Sequence, residues 1–215
     1  MRTIHITLFV ALTGALGAAA ADNTTERLQR SISVLDMHGV KSGKWSGQFA
    51  AADCVAVIPG FKKGAAVIGI GYGRGFLSCR QAGGWSAPAA VSLETSSLGV
   101  QVGGEAIDIV VLFLDGGLRG KLLSGRFTIG SDASAAWGNG KSAHEDSNAK
   151  VLFFGHTKGV FAGFGLDGAS LSADDSSNKA LYGKSVTNRD VIEGGTDIPS
   201  SAQPFVAKLS SVSGH

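Results

Sequence analysis

With 215 residues, 44% of them hydrophobic, 17% charged and only 4 proline, the chain can bury one good core, is short for two ordinary domains, and is too apolar for a disordered one. A formal net charge of +2 excludes the dense basic footprint that a nucleic-acid partner requires. The 32 glycines follow no fixed period, which excludes collagen-like and low-complexity readings and predicts many short strands joined by tight turns.

Met1 to Ala21 carries Arg2 near its start, an apolar run from Ile6 to about Leu16, and the small residues Ala19, Ala20 and Ala21. That layout predicts a secretory signal peptide cut after about Ala21, and a periplasmic or secreted product. A membrane anchor would need about 20 strongly apolar residues, and here the second half is glycine and alanine. No cysteine stands near the predicted cut to take a lipid, and cleavage leaves 18 basic residues against 17 acidic ones, a net charge of +1. Residues 22–215 then read as a single domain.

From Asp22 to Val40, Leu28, Ile32 and Leu35 recur at helical spacing, with Gly39 as a stop signal. The polar face mixes Glu26, Arg27, Arg30 and Asp36, which favours packing on a core over lying on a membrane. A second short helix over Trp45 to Asp53 leads into a strand, Val55 to Ile58, that Pro59-Gly60 is expected to end.

Between Ala65 and Leu77, Ile68, Ile70 and Tyr72 alternate with Gly69, Gly71 and Gly73, giving one apolar strand face and one of bare backbone. So many strand glycines require a close approach to the bare face by a neighbouring backbone or a ligand. A dinucleotide fingerprint does not fit, because the G-x-G-x-x-G register fails at Arg74 and Phe76.

A turn near Gly73 to Gly75, a segment from Phe76 to Arg80 and a turn at Gly83-Gly84-Trp85 are expected next. Strands follow at Ala89 to Thr95, Leu98 to Val102 and Ala106 to Leu114, the last apolar enough to be covered on both faces. Asp108 inside that run must be paired or protonated; a hydrogen bond to a neighbour such as Gln101 is one role and a ligand contact the other.

A short helix at Leu118 to Leu123 precedes strands at Arg126 to Ala136, Lys150 to Phe154, Gly159 to Gly165 and Ala169 to Leu171. Hairpin turns fall at Gly155 to Lys158 and at Asp167-Gly168, and helices near Arg189 to Glu193 and Ala202 to Val212 close the chain. The fold class is therefore α+β, mainly an antiparallel sandwich or barrel with helices at both chain ends.

Two cysteines in an exported chain, Cys54 and Cys79, favour a disulfide; two buried thiols in neighbouring strands are the other reading. The five histidines show no metal spacing, and His144-Glu145-Asp146 lacks a second histidine four residues on. There is no G-x-S-x-G elbow, and the S-x-x-K matches at Ser147 to Lys150 and Ser176 to Lys179 come without partner motifs. The residues thus point to no catalysis, no metal and no cofactor. Asn23-Thr24-Thr25 fits a glycosylation acceptor, relevant only in a eukaryotic secretory pathway.

What remains is a set of cations near turns: Lys62, Lys63, Arg74, Arg80 and Lys158. Scattered lysines ordinarily mark a solvated surface. Gly60 and Gly64 flank Lys62 and Lys63 beside the glycine strand, where backbone N–H groups and ammonium groups could converge on a phosphate.

Eight blocks, in order, resemble the SYLF-domain lipid-binding family: PGFKKG from Pro59, GIGYGRG from Gly69, GGWSAP from Gly83, GVQVG from Gly99, DIVVLFL from Asp108, GSDASAA from Gly130, KGVFAGFGLDG from Lys158 and NKALYG from Asn178. The likeness spans about Cys54 to Gly183. It departs at Gly138 to Lys141, where a proline and an arginine are expected, and at Phe154-Gly155, where tyrosine and serine are expected.

The resemblance implies a non-enzymatic domain that binds anionic phospholipid, phosphoinositides in eukaryotic members, some of which are tied to cortical actin. With the leader, it implies a secreted bacterial member whose lipid contacts fall on Lys62, Lys63, Arg74 and Lys158. The alternative is a structural or protein-interaction domain of the cell envelope without a lipid ligand.

Overall fold

The computed structural model describes residues 13–36, 45–63, 71–95, 106–137, 149–156 and 166–214. Helix α1 spans Thr13–Leu35 and α2 Ser46–Ala51; strands β1 to β5 are Cys54–Lys63, Gly71–Gln81, Gly84–Trp85, Ala89–Thr95 and Ile107–Phe113. A 3-10 turn at Gly116–Leu118 and α3, Arg119–Leu122, lead to β6, Arg126–Thr128, β7, Ala135–Trp137, β8, Val151–His156, and β9, Ser170–Ala173. The chain closes with α4, Asp175–Tyr182, α5, Asn188–Ile192, and α6, Gln203–Val212.

The nine strands among the described residues make one sheet in the order β6-β9-β4-β2-β1-β5-β8-β7, with β3 paired to β2 alone. Its neighbours run antiparallel except β7 and β8, which are parallel. The two edge strands, β6 and β7, are consecutive in sequence, so residues 129–134 bridge the open sides of the sheet. Phe113 of β5 and Phe127 of β6 meet edge-on with centroids 5.4 Å apart, although β9, β4, β2 and β1 lie between them along the sheet. Only a curled sheet permits that contact. The architecture is thus α+β and barrel-like, and not two stacked sheets.

The sheet is buried on both faces. Ile58, Leu77, Leu93, Ile109, Phe113 and Phe127 fill the inside of the curl. Outside, Val57, Phe76, Leu112 and Phe154 lie under Leu28 and Leu35 of α1, Phe49 of α2, and Phe205 and Leu209 of α6. Helix α1 therefore packs on the core, as its mixed polar face predicts. It also starts earlier than the periodicity predicts, running unbroken from Thr13 through Ala21.

Pro59-Gly60 does not end β1, which continues to Lys63 through a bulge. The register passes from Val57↔Phe76 to Lys62↔Tyr72 on one side and from Ile58↔Ile109 to Phe61↔Ile107 on the other, while Gly60 takes φ 64°. Nor is there a turn at Gly73 to Gly75, because β2 is continuous across them. Their bare face is what the bulge needs. A Cβ on Gly73 would stand 2.6 Å from Ile58 Cγ2, and one on Gly75 would stand 1.9 Å from the Val57 carbonyl oxygen. The neighbour demanded by the strand glycines is β1 itself.

Cys54 and Cys79 are register partners in β1 and β2 and form the disulfide, with an S–S distance of 2.03 Å. The expected strand at Arg126 to Ala136 is split in two. Gly130, at φ 89°, turns the chain there, and the Asp132 carboxylate accepts the Thr128 N–H at 2.7 Å. Gly155 lies within β8 and not in a turn, since Ile109 pairs with it.

Helix α4 has no counterpart in the predicted elements. Asp174 caps its start and Gly183, at φ 69°, its end. The strands expected at Leu98 to Val102 and Gly159 to Gly165, and residues Ile68, Gly69 and Ile70 of the glycine run, lie outside the described residues.

Candidate functional site

The register pairs Lys63↔Gly71, Gly71↔Thr95, Phe61↔Ile107 and Asp108↔His156 bring the ends of β1, β2, β4, β5 and β8 to one end of the sheet. On its outer face, Lys62 pairs across β1–β2 with Tyr72, and Tyr72 across β2–β4 with Glu94. Phe76, four residues further along the same face of β2, is buried against Phe205 of α6 at 6.1 Å. Tyr72 has passed beyond that helical cover. At 44% exposure it is the one exposed large hydrophobic side chain among the described residues, flanked by exposed Lys62 and exposed Glu94.

Arg74 stands between the covered and the open part of β2, with 37% of its side chain exposed. Its Nη2 donates to Asp174 Oδ1 at 3.0 Å and to Ser176 Oγ at 2.9 Å. Asp174 Oδ1 also accepts the Ser176 hydroxyl at 2.8 Å and the Ser177 N–H at 3.1 Å. Behind Asp174 lies Arg27 of α1, which donates to Ser177 Oγ at 2.9 Å and to Asn23 Oδ1 at 3.0 Å, with Nη1 3.9 Å from Asp174 Oδ2. Burial pushes the Asp174 carboxyl up, but hydrogen bonds from Ser177 and Ser176 and the Arg74 charge outweigh it, so its pKa lies below the ordinary value.

The other predicted site residues are distributed as follows. Lys63 sits opposite Gly71 by its backbone, and Lys158 and Gln101 lie outside the described residues. Asp108 is half-buried and accepts the Gly60 N–H at 2.7 Å, so it closes the β1 bulge. Arg80 reaches the Ala52 and Phe49 carbonyls at the end of α2 and lies 4.2 Å over the Trp85 ring, which spends its charge on structure.

No cluster of three potential metal ligands occurs among the described residues. A cleft of about 510 Å³ lined by Leu181, Tyr182, Lys184, Thr196 and Pro199 lies at the other end of the sheet, where the Tyr182 hydroxyl donates to the Pro88 carbonyl at 2.7 Å. Sequence reasoning missed Arg27 and Asp174. The available signal was Asp174 three residues before Ser177, an N-cap pattern at the head of α4.

Fold and rim together define a small α+β domain that presents a charged rim with an exposed tyrosine at one end of a curled sheet. The chain belongs to the Ysc84 family, described as "Las17-binding protein actin regulator", whose model matches residues 94–212; this is the SYLF family that its motifs resemble. It is 29% identical to Protein YSC84 of Saccharomyces cerevisiae over 137 residues, 60% of this chain and 29% of that protein. It is 28% identical to the human SH3 domain-containing YSC84-like protein 1 over 169 residues, 75% of this chain and 49% of that one. The Xenopus laevis protein of the same name is 31% identical over 142 residues, covering 63% and 42%. The chain thus spans between about a third and a half of the curated relatives it matches.

Proposed function

We propose that this domain binds anionic phospholipid headgroups at the open end of its sheet, without catalysis, after export to a periplasmic or extracellular location. The observation that carries the reading is the exposed pair Lys62 and Tyr72 on adjacent strands. An ammonium beside an amphipathic ring suits the interface between headgroups and acyl chains. The Cys54–Cys79 disulfide supports an oxidising compartment.

A net charge of +1 after processing is too small to attract a membrane as a whole, so the attraction must be local. Each lysine near an anionic surface contributes about 1 kcal/mol, so replacing Lys62 and Lys63 with alanine weakens vesicle binding by roughly tenfold or more. Sedimentation with phosphatidylglycerol and with phosphatidylcholine vesicles tests this, once circular dichroism shows the variant folded. Equal sedimentation of variant and parent refutes the role of these lysines. Failure of the parent to sediment with anionic vesicles favours the second reading, a protein-interaction domain, to which the family's Las17-binding description and the SH3 domains named in relatives lend support.

A further inference from the structure

We infer that Arg27 and Arg74, which share the single carboxylate of Asp174, form a seat for a singly charged phosphodiester beside Tyr72. For its lipid source this deepens, and rests on, the lipid-binding reading.

The side chains of Arg27 and Asp174 are 6% and 3% exposed and that of Arg74 37%, so one buried and one partly exposed guanidinium meet a single buried carboxylate and leave the cluster a surplus of one positive charge. Arg30, which pairs with Glu26 on the exposed side of α1, acts on Arg27 as a further like charge. An uncompensated buried charge is costly and is retained where something compensates it. The strain is visible at Arg27, whose pKa is lowered first by burial and then by the neighbouring Arg74 charge.

Asp174 Oδ1 is shared by Arg74, Ser176 and Ser177, and Oδ2 faces the buried Arg74 Nε at 2.9 Å as an ion pair. Arg74 donates to Asp174 Oδ1 and to Ser176 through Nη2, so Nη1 is the donor that its aspartate does not use.

Arg74 is the partly exposed member of the couple, and two residues along the same strand face Tyr72 is open to solvent. An anion can reach the guanidinium along the ring without α1 moving. One surplus charge matches a singly charged oxyanion, and the planar fork matches two oxygens of a phosphodiester.

Two sources carry that chemistry, a lipid headgroup and a free phosphodiester. The test titrates the full chain with soluble glycerophosphoglycerol by calorimetry and, separately, with phosphatidylglycerol and phosphatidylcholine vesicles by sedimentation. Arg74→Gln leaves Arg27 and Asp174 as a balanced pair and removes the surplus. It is expected to abolish the calorimetric signal and weaken phosphatidylglycerol binding about tenfold in a variant that circular dichroism shows to be folded.

A folded Arg74→Gln variant that binds both probes like the parent overturns the seat and leaves the lipid reading standing. Arg74-dependent binding of the soluble diester without vesicle binding keeps the seat and removes the lipid source. A measurement without any variant guards against misfolding: soluble diester should raise the parent's unfolding midpoint, and no rise at saturating concentration overturns the seat.

Discussion

Gly75→Ala is the most incisive perturbation of this fold, because the sign of its effect depends on what faces the bare side of β2. Were that side open, alanine would stabilise by about 0.4–1 kcal/mol through the loss of unfolded-state freedom. Instead the new Cβ would lie 1.9 Å from the Val57 carbonyl oxygen, 2.8 Å from its carbon and 2.9 Å from Ile58 Cα, and all three are backbone atoms. No rotamer change relieves that. The strands must part by more than 1 Å to bring the oxygen to even 3.0 Å, at the β1 bulge whose register Val57↔Phe76 anchors. Overpacking costs about 1–3 kcal/mol and each disrupted ladder hydrogen bond about 1 kcal/mol, so a net loss of about 3–5 kcal/mol is expected. In a chain of this length that lowers the melting temperature by about 6–20 °C. Thermal and urea unfolding followed by circular dichroism measure it. A change smaller than about 0.5 kcal/mol, or a gain, would refute the close approach of β1 to β2.

Cys54→Ser with Cys79→Ser, or reduction before unfolding, opens a link between residues 25 apart and should cost about 3 kcal/mol; an unchanged urea midpoint with both thiols demonstrably free would contradict this. Because the folded-state pKa of Asp174 is depressed, its contribution is fully present above the ordinary value of 3.8 and is lost as pH falls through the lower folded value. Asp115, Asp132 and Asp190 are lowered by hydrogen bonds and share this acid limb, so Asp174→Asn should flatten only part of the stability decline measured by urea titration below pH 4. A decline of identical steepness in the variant would remove Asp174 from the account.

The parts of the fold legible in the sequence were those set by local pattern. Strand β4 falls at Ala89–Thr95 as its apolar run predicts, and α6 and the segment of α1 carrying Leu28, Ile32 and Leu35 follow their helical spacing. The glycine alternation announced a close neighbour but could not say whether it was backbone or ligand, because that depends on a bulge in another strand. Pro59-Gly60 looked like a strand end for the same reason. A proline and a left-handed glycine terminate most strands, and here the Asp108 carboxylate across the sheet holds the bulge so that pairing resumes at Phe61 and Lys62. Of the candidate site, Lys62 was legible as an exposed cation. The diversion of Arg80 to α2 and the sharing of Asp174 by Arg27 and Arg74 were not, since they join residues 31, 100 and about 150 positions apart.

Helix α1 joins the export reading to the fold. The predicted cut after Ala21 falls inside a continuous helix, which at first sight would breach an element of the core. Thr24, Arg27, Leu28, Ser31 and Leu35, which lie beyond the cut, are buried, and Arg27 fixes the helix to α4 through Ser177. The sequence also supplies a fresh start there, because Asn23 is a residue type favoured at a helix N-cap and Glu26 would follow it in the first turn. A chain that begins at Asp22 can therefore end its helix on its own cap and keep every one of these contacts. The new α-amino group would lie one residue from Asn23, whose side chain accepts from Arg27. Processing would then add positive charge next to the Arg27–Asp174–Arg74 cluster, which strengthens rather than offsets the attraction of that end of the sheet for an anion.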